Sequence, residues 1–370
     1  MKHLSEYRDA TLLKPLIAGI QTMSTQPWRI MEVCGGQTNT IVRYGLEQCL
    51  QPMISLLHGP GCPVCVTPPC YLDAAQSLAS RSDVVLCTFG DMARVPGTDK
   101  SLLDIKAEGG DIRTMYSPLD AVTLARSEPE KQIVFFAIGF ETTAPLVALS
   151  IVQAAHHGLR NFSVLCAHVL IPPAIEALLQ FPEVKIDAIL APGHVCTVTG
   201  TREYEELHEM YGIPIVITGF EPADILQGVS EAVRCLESHE SEVTIQYSRA
   251  VTAAGNIQAQ RLIEQVFTVC DRDWRGIGSI PASGLEIVPA YQGFDAVDRF
   301  ALELQPSPQT HDCCGRVLRG SLSPQECPHF GTTCTPQSPI GAPMVSSEGA
   351  CAAYIQHARH DQISRSFQGR

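Results

Sequence analysis

Short apolar segments alternate with helical patterns along most of this chain, and the alternation limits the folds that it can adopt. Between residues 29 and 233, most segments of strand length precede a segment with helical spacing. Such alternation is typical of parallel sheets with covering helices. Because the eight strands give no sign of closure, we predict an α/β fold with two doubly wound, Rossmann-like parallel sheets. The predicted strands are 29–34, 53–57, 83–88, 112–116, 132–138, 162–169, 186–191 and 213–218.

The 370 residues are enough for two or three domains. We place a boundary near Asp120, between two α/β domains. After about residue 236 a helix over Asn256–Cys270 is predicted, followed by irregular sequence that is rich in glycine and proline. Little in this part could build its own core, so a bound metal centre is expected to organise it. The predicted domains are 26–120, 121–235, and a third, irregular and mostly helical domain of 1–25 with 236–370.

Composition argues against several classes of partner. The formal net charge is −13 at pH 7 and no Lys/Arg-rich run occurs, so we expect no nucleic-acid partner. The most apolar run, Ile133–Phe140, is far too short to cross a membrane. Since the N-terminal residues lack the apolar region of a signal peptide, we expect a cytoplasmic protein. Fifteen cysteines in such a chain indicate metal or thiol chemistry rather than a disulfide framework.

A Cys-x-x-Cys sequence follows the second predicted strand. A Gly-Pro-Gly turn ends that strand, and Cys62 and Cys65 come directly afterwards. Backbone N–H groups at the start of a helix favour a thiolate, so this turn is suited to redox chemistry or metal binding. The spacing alone leaves open that the pair is half of a structural zinc site.

Other unusual residues also follow predicted strands, whose carboxyl ends face one crevice in an open parallel sheet. Cys34 precedes Gly35 and Gly36, which let a ligand approach the backbone closely. The alternative for Cys34 is a small buried hydrophobic residue. His58 and His194 lie in glycine-flanked turns, where each is either a ligand, an acid–base group or a hydrogen-bonded structural residue.

Charged residues after the strands complete the set of possible site residues. Glu141 and Glu221 either cap the helices that follow them or face the crevice. Asp91 either caps a helix or pairs with Arg94. No glycine pattern matches a Walker A loop or a dinucleotide fingerprint, and no nucleophile elbow is visible.

Four cysteines near the C-terminus have a spacing that suits a metal centre. Twelve residues separate Cys314 from Cys327, six separate Cys327 from Cys334, and sixteen separate Cys334 from Cys351. Four thiolates suit a [4Fe–4S] cluster or a structural zinc ion, and the spacing gives these two similar weight; unliganded cysteines are a third alternative. Because successive side chains diverge, Cys313 and its neighbour provide at most one ligand between them.

Many of these residues belong to longer motifs. The motifs are Met31–Gly36, His58–Cys65, Thr88–Asp91, Arg94–Gly97, Gly139–Thr143, Leu190–Val195, Val317–Gly320 and Met344–Cys351. In this order they resemble the [NiFe]-hydrogenase maturation protein HypD family, and the resemblance covers nearly the whole chain.

The resemblance implies a role in assembling the Fe(CN)₂CO unit of the hydrogenase active site, with a small chaperone, HypC, and a cyanide donor, HypE. Cys34 would hold the iron, together with a cysteine of HypC, and the iron with its cyanide and carbonyl ligands would be transient cargo. Cys62 and Cys65 would form a redox-active pair. A [4Fe–4S] cluster, which would make the third domain an iron–sulfur domain, would be carried by Cys314, Cys327, Cys334 and Cys351.

Two departures from the family pattern limit what can be transferred. Gln37 and Asn39 stand where the family often has histidines, so these positions cannot bind iron through imidazole, although both amides can hydrogen-bond a diatomic ligand. Pro343 stands where relatives often carry cysteine, so this position offers no additional thiol to the cluster.

The implied chemistry agrees with the properties of thiols. Cyanide that arrives as enzyme-bound thiocyanate needs two electrons to leave, and a dithiol supplies two as it closes to a disulfide. Our hypothesis is that electrons pass from the cluster to the Cys62–Cys65 disulfide and on to the iron at Cys34. Such a route requires the disulfide to lie close to the cluster.

Two rival functions fit parts of the sequence. The first is a thiol–disulfide oxidoreductase that uses a cluster and acts on protein substrates. The second is a small-molecule enzyme with zinc bound near the C-terminus. The leading hypothesis differs from both, since it describes an assembly scaffold for a metallocofactor with thiol redox activity.

Overall fold

The structure is a computed structural model that describes residues 6–305 and 311–357. The predicted third domain also includes residues 1–5, 306–310 and 358–370, which lie outside the described residues.

The predicted strands are all present, and each end lies within two residues of the expected position. In the described residues the strands are β1 (Trp28–Glu32), β2 (Ile54–His58), β3 (Val84–Thr88), β4 (Ile112–Thr114), β5 (Gln132–Gly139), β6 (Phe162–His168), β7 (Ala188–Pro192), β8 (Ile215–Thr218), β9 (Val243–Ile245), β10 (Phe267–Trp274) and β11 (Gly278–Ile287). The sequence patterns predicted β1–β8 and missed β9–β11.

Helices follow most of these strands, as expected for parallel sheets. The α-helices of the described residues are α1 (Ala10–Met23), α2 (Gly35–Tyr44), α3 (Leu46–Leu50), α4 (Pro63–Val66), α5 (Pro69–Ala79), α6 (Leu102–Ala107), α7 (Pro118–Ser127), α8 (Ala144–His156), α9 (Ile171–Leu179), α10 (Gly193–Thr199), α11 (Arg202–Tyr211), α12 (Pro222–Ser238), α13 (Ile257–Val266), α14 (Ala296–Arg299), α15 (Asp312–Leu318) and α16 (Ala350–His357). Short 3₁₀ helices occur at Glu6–Arg8, Met92–Arg94, Pro289–Phe294, Pro324–Glu326 and Ala342–Met344.

The chain divides into two units, each built from separate segments. Unit 1 comprises Met1–Cys62, Ala174–Asn256 and Cys313–Arg370, and unit 2 comprises Pro63–Pro173 and Ile257–Asp312.

Unit 1 contains a parallel sheet with the strand order β2-β1-β7-β8-β9. Glu32, at the end of β1, lies opposite both His58 of β2 and Leu190 of β7. The core of the unit includes Leu13 from α1 and Ile225 from α12, both fully buried. Because all the strands run in one direction, the carboxyl ends of β1, β2, β7 and β8 meet at one edge of the sheet.

Unit 2 contains a second parallel sheet, with the order β4-β3-β5-β6, and an antiparallel hairpin of β10 and β11. Phe135 of β5 and Phe162 of β6 are fully buried in its core together with Val147 of α8. Both sheets are parallel and covered by helices, so the predicted α/β fold class with two Rossmann-like sheets is confirmed. Among the described residues, no helix combines the length and hydropathy that a membrane crossing needs.

The division of the chain differs from the expected one. The sequence groups β1 and β2 with β3 and β4, whereas the structure pairs β1 with β7 and pairs β3 with β5. Residues 313–357, expected in a separate third domain, belong to unit 1, and residues 257–305 belong to unit 2. A local apolar pattern identifies a strand but not its neighbour in a parallel sheet, because the connection between paired strands is long.

The helix expected over Asn256–Cys270 ends early, at Val266. Phe267 and Cys270 continue the helical spacing of Ile263, so the apolar pattern does not mark the end of the helix. Pairing with β11 decides the conformation, and Phe267 lies opposite Ile287 in the antiparallel ladder.

Candidate functional site

Cys34 lies in the turn between β1 and α2. It is the N-cap residue of α2, with a φ of −150° and a ψ of 123°. The backbone N–H of Gly35 donates to the carbonyl of Gly61 at 3.0 Å, and a Cβ at Gly61 would overlap the backbone of Cys34. Since β1 and β2 are parallel neighbours, the turn after β2 is brought directly against the turn that contains Cys34.

The thiol of Cys34 is enclosed by an imidazole and an aromatic ring. Nδ1 of His194 lies 3.8 Å from the Cys34 sulfur, and the ring of Phe220 lies 5.1 Å from that of His194. A Cβ at Gly36 would lie 3.3 Å from the Phe220 ring and 3.6 Å from the sulfur. Burial lowers the pKa of His194 to about 4, so the imidazole is neutral near pH 7 and keeps a lone pair for a proton or a metal.

The electrostatic surroundings of Cys34 favour a bound cation. Only 5% of the residue is exposed, and burial raises the pKa of its thiol well above the ordinary value. The backbone N–H of Gln37 lowers this pKa, the carboxylates of Glu32 and Glu348 raise it, and the N–H of Gly36 lowers it. A thiol among carboxylates loses its proton most readily when a metal ion replaces that proton.

The two amides that stand where the family often has histidines both have partners within unit 1. Gln37 is fully buried, and its amide nitrogen lies within hydrogen-bonding distance of the Thr218 hydroxyl and, at 3.4 Å, of the Ala191 carbonyl. The side-chain oxygen of Asn39 lies 3.2 Å from Nε2 of His357, on α16. A histidine of the C-terminal helix therefore reaches position 39.

Cys62 and Cys65 are both disulfide-bonded. Cys62 follows the Gly61 turn directly, so the chain itself holds it beside the Cys34 turn. Cys65 lies three residues further on, in α4, and both residues are buried. A Cys-x-x-Cys disulfide is the oxidised form of a dithiol that can deliver two electrons.

The four C-terminal cysteines converge although they come from different elements. Cys314 lies on α15, Cys327 is the C-cap of a 3₁₀ helix, Cys334 forms an isolated β-bridge with Phe330, and Cys351 lies on α16. Burial raises the pKa of the Cys351 thiol, and the thiols of Cys314, Cys334 and Cys327 raise it further. The other three thiols therefore lie within electrostatic range of Cys351.

The surroundings of these sulfurs fit a metal centre. Cys334 and Cys351 are buried with Val317 and Met344, and the backbone N–H of Ile340 donates to the Cys334 sulfur at 3.4 Å. A Cβ at position 341, which is glycine, would lie 2.6 Å from the Cys314 sulfur. Convergent thiols with apolar walls and a backbone donor suit a [4Fe–4S] cluster or a zinc ion.

The remaining predicted site residues of unit 1 have structural partners. His58 lies between Glu32 and Glu47, with its Nδ1 2.6 Å and its Nε2 3.1 Å from their carboxylates. Glu221 caps α12, the helix that follows it, and also pairs with Arg8.

Asp91, Arg94 and Glu141 belong to unit 2. Asp91 and Arg94 form an ion pair at 3.0 Å, which is one of the two alternatives that the sequence suggests. Glu141 is buried, and its carboxylate accepts the backbone N–H of Ile171 at 2.8 Å. It therefore caps α9 rather than the helix that directly follows it.

Sequence reasoning missed several residues around the Cys34 turn. The carboxylate of Glu32 at the end of an apolar strand was a usable signal, because a buried carboxylate needs partners. Glu47 has no unusual sequence neighbourhood, and Tyr354 gave no local signal because it is 307 residues from Glu47.

The described residues thus combine two α/β units with a buried strand-end thiol, a disulfide and four C-terminal thiols that act on one another. The model of the HypD family, described as "Hydrogenase formation hypA family", matches residues 11–358. The chain therefore belongs to the HypD family, as its sequence motifs suggested.

Curated relatives are similar to the chain over nearly their whole length. The hydrogenase expression/formation protein HupD of Azotobacter chroococcum is 47% identical over 98% of this chain and 99% of its own. The hydrogenase maturation factor HypD of Azotobacter vinelandii is 46% identical over 98% of both chains. That of Escherichia coli K12 is 44% identical over 98% of this chain and 99% of its own. Membership of a family of hydrogenase maturation factors is thus shown.

Proposed function

We propose that this HypD-family chain is the scaffold on which the iron of a hydrogenase active site acquires its ligands and becomes the Fe(CN)₂CO unit. The iron is the cargo, and Cys34 is the residue that would hold it. One observation carries the proposal: the buried Cys34 thiol lies 3.8 Å from the neutral imidazole of His194. A soft thiolate suits low-spin iron that carries cyanide and carbonyl.

The proposed partners are HypC and HypE. HypC would contribute a second thiolate to the iron, and HypE would deliver cyanide as an enzyme-bound thiocyanate. The names of the curated relatives support a role among the proteins of hydrogenase maturation. The abundance of cysteine supports a reducing compartment, so we place the reaction in the cytoplasm.

Cys62 and Cys65 would provide the electrons for cyanide release. Cleavage of the S–CN bond needs two electrons and yields cyanide and a thiolate. The dithiol of Cys62 and Cys65 supplies this electron pair as the two sulfurs form a disulfide, which a reductant must reopen before the next cyanide. The disulfide-bonded state of both residues is the form that this step would leave, which supports the proposal.

Cys314, Cys327, Cys334 and Cys351 would hold a [4Fe–4S] cluster. When bound, such a cluster supplies single electrons at a potential set by its surroundings. Two features of this chain would tune the reduction potential of the cluster. They are the burial of Cys334 and Cys351 and the hydrogen bond that the backbone N–H of Ile340 donates to the Cys334 sulfur.

Infrared spectroscopy tests the proposal. We would purify the chain anaerobically after co-expression with HypC and HypE, and record the cyanide and carbonyl stretching bands. We expect these bands in the wild type and their loss in Cys34→Ala, while iron and sulfide stay at about four each per chain, the content of one cubane cluster. Bands of full intensity in Cys34→Ala would refute the assignment of Cys34.

The same experiment separates the proposal from its rivals. A protein that carries iron and sulfide but never shows diatomic bands would favour a thiol–disulfide oxidoreductase with protein substrates, for which the Cys62–Cys65 disulfide is the specific observation. A protein with one zinc ion and no sulfide would favour the small-molecule enzyme.

A further inference from the structure

A buried carboxylate holds the backbone of the Cys34 turn. Glu32 is fully buried, and its carboxylate accepts the backbone N–H of Cys34 at 2.8 Å. The same carboxylate accepts the hydroxyl of Thr38 and lies 2.6 Å from Nδ1 of His58. The Cys34 N–H is therefore satisfied by a side chain, so the position of the turn depends on how firmly Glu32 is held.

Glu32 is held through His58 by residues from other elements. Nε2 of His58 lies 3.1 Å from the Glu47 carboxylate of α3. The hydroxyl of Tyr354, on α16, donates to Glu47 at 2.6–2.7 Å. We call Glu32, His58, Glu47 and Tyr354 the Glu32–Tyr354 network. All four residues lie in unit 1. At most 14% of the side chain is exposed in Glu32, His58 and Glu47, and 5% of Tyr354 is exposed as a residue.

The network contains a buried positive charge between two negative ones. Burial alone would lower the pKa of His58, but hydrogen bonds and charge from Glu32 and Glu47 raise it to about 10. A buried ion pair stabilises a fold less well than apolar residues of the same volume, whereas removal of one partner leaves an uncompensated charge. Loss of one member would therefore disturb the positions of the remaining charged groups.

The far end of the network lies on the segment that carries the four cysteines. Tyr354 follows Cys351 by three residues, so both are on the same face of α16. Gly320, two residues after the end of α15, packs against His58, where a Cβ would lie 3.1 Å from the His58 carbonyl oxygen. The network is thus contacted by α16, through Tyr354, and by the turn that follows α15, through Gly320.

We propose that His58, Glu47 and Tyr354 are positioning residues that lock the Cys34 turn to the cysteine-bearing helix α16. The docking of α16 then sets the geometry in which Cys34 receives its cargo. The proposal rests on the proposed function only in giving Cys34 an iron to hold.

Alkylation of Cys34 measures whether the network locks the turn. A buried thiol reacts only when its surroundings open, so the rate of reaction with iodoacetamide reports the local opening of the turn. We would quantify the Cys34 peptide by mass spectrometry in full-length wild type and in Tyr354→Phe. We expect the variant to react about tenfold faster, the factor for loss of one hydrogen bond to a charged group.

A matched control is available in the same unit. Tyr211 also donates its hydroxyl to a carboxylate, that of Glu176, at 3.3 Å, but lies outside the network. Tyr211→Phe should leave the Cys34 rate unchanged. Cys235, which is 1% exposed in unit 1, reports opening of the unit as a whole and should stay unreactive in both variants.

Three outcomes decide the proposal. Faster alkylation of Cys34 alone in Tyr354→Phe supports it. Equal Cys34 alkylation rates in Tyr354→Phe and Tyr211→Phe overturn it. A parallel increase in the alkylation rate of Cys235 in Tyr354→Phe also overturns it, because the network would then stabilise the unit as a whole. If Tyr354→Phe does not fold, Glu47→Gln is measured in the same way, because it weakens the same link.

A metal measurement separates this inference from the proposed function. The alkylation needs no iron, so selective opening of Cys34 in a protein that never acquires diatomic bands would support the network and refute the scaffold. Diatomic bands in the wild type, together with equal Cys34 alkylation rates in the wild type and in Tyr354→Phe, would support the scaffold and refute the network. If both the network and the scaffold are correct, Tyr354→Phe also loses the diatomic bands, while its cluster iron content stays at the wild-type value.

Discussion

The Nδ1 atom of His194 lies 3.8 Å from the sulfur of Cys34, although 160 residues separate them in sequence. Parallel pairing of β1 with β7 brings them together, because Cys34 follows β1 and His194 follows β7. A neutral imidazole beside a thiol can bind the same metal ion as the sulfur.

This contact predicts the effect of replacing His194. His194→Asn keeps a polar side chain but removes the imidazole, so we expect retention of iron at Cys34 to fall about tenfold, as for loss of a group that supports a metal ligand. The measurement is the ratio of the cyanide and carbonyl bands to total protein. His157→Asn, which changes an exposed histidine, should retain the wild-type ratio. A His194→Asn protein with full bands would exclude a role for the imidazole.

The close approach of Gly61 to Cys34 predicts a second effect. A methyl group at position 61 would overlap the Cys34 backbone, so Gly61→Ala must push the two turns apart. We expect a loss of about 1–3 kcal/mol in the free energy of unfolding, the usual range for overpacking. Gly19→Ala, in helix α1 with open space around it, should instead gain about 0.5–1 kcal/mol. Urea unfolding measures both, and a Gly61→Ala protein as stable as the wild type would contradict the observed packing.

The sequence predicted the kind of sheet well and its order poorly. β1–β8 are short apolar segments that local pattern identifies. The pairing of β1 with β7 depends on packing between residues far apart in the chain, and no local signal shows it. The hairpin of β10 and β11 was missed because its first residues continue the spacing of the preceding helix.

Prediction of the candidate site from the sequence is limited in the same way, because contacts between distant residues give no local signal. Cys34 and His58 were found because glycines follow them at the ends of strands. Glu47 and Tyr354 were missed because they are 307 residues apart and neither has an unusual sequence neighbourhood. The candidate site residues lie in unusual local sequence, whereas the residues that position them are identified only from the folded structure.

The adjacent cysteines at 313 and 314 provide a matched pair of variants that tests the proposed cluster site. The thiol of Cys314 acts on the pKa of Cys351, and its sulfur lies against Gly341. We therefore expect Cys314→Ser to lose most of its iron and sulfide and Cys313→Ser to keep about four of each, the content of one cubane cluster. Iron and sulfide analysis after anaerobic reconstitution measures the difference. If the two variants behaved in reverse, Cys313 would be the ligand.

The charge on His58 predicts how stability depends on pH. The pKa of His58 is about 10 in the folded chain and close to the ordinary value of 6.5 in the unfolded chain. Between these values the folded state holds one more proton, so the free energy of unfolding falls by about 1.4 kcal/mol for each pH unit. The contribution of His58 is thus complete below pH 6.5 and is lost as the pH rises toward 10. His58→Gln removes this proton, so its free energy of unfolding, measured in urea from pH 7 to pH 9, should fall less steeply than that of the wild type. His157→Gln should keep the wild-type slope, and identical slopes in all three proteins would show that His58 carries no charge in the folded state.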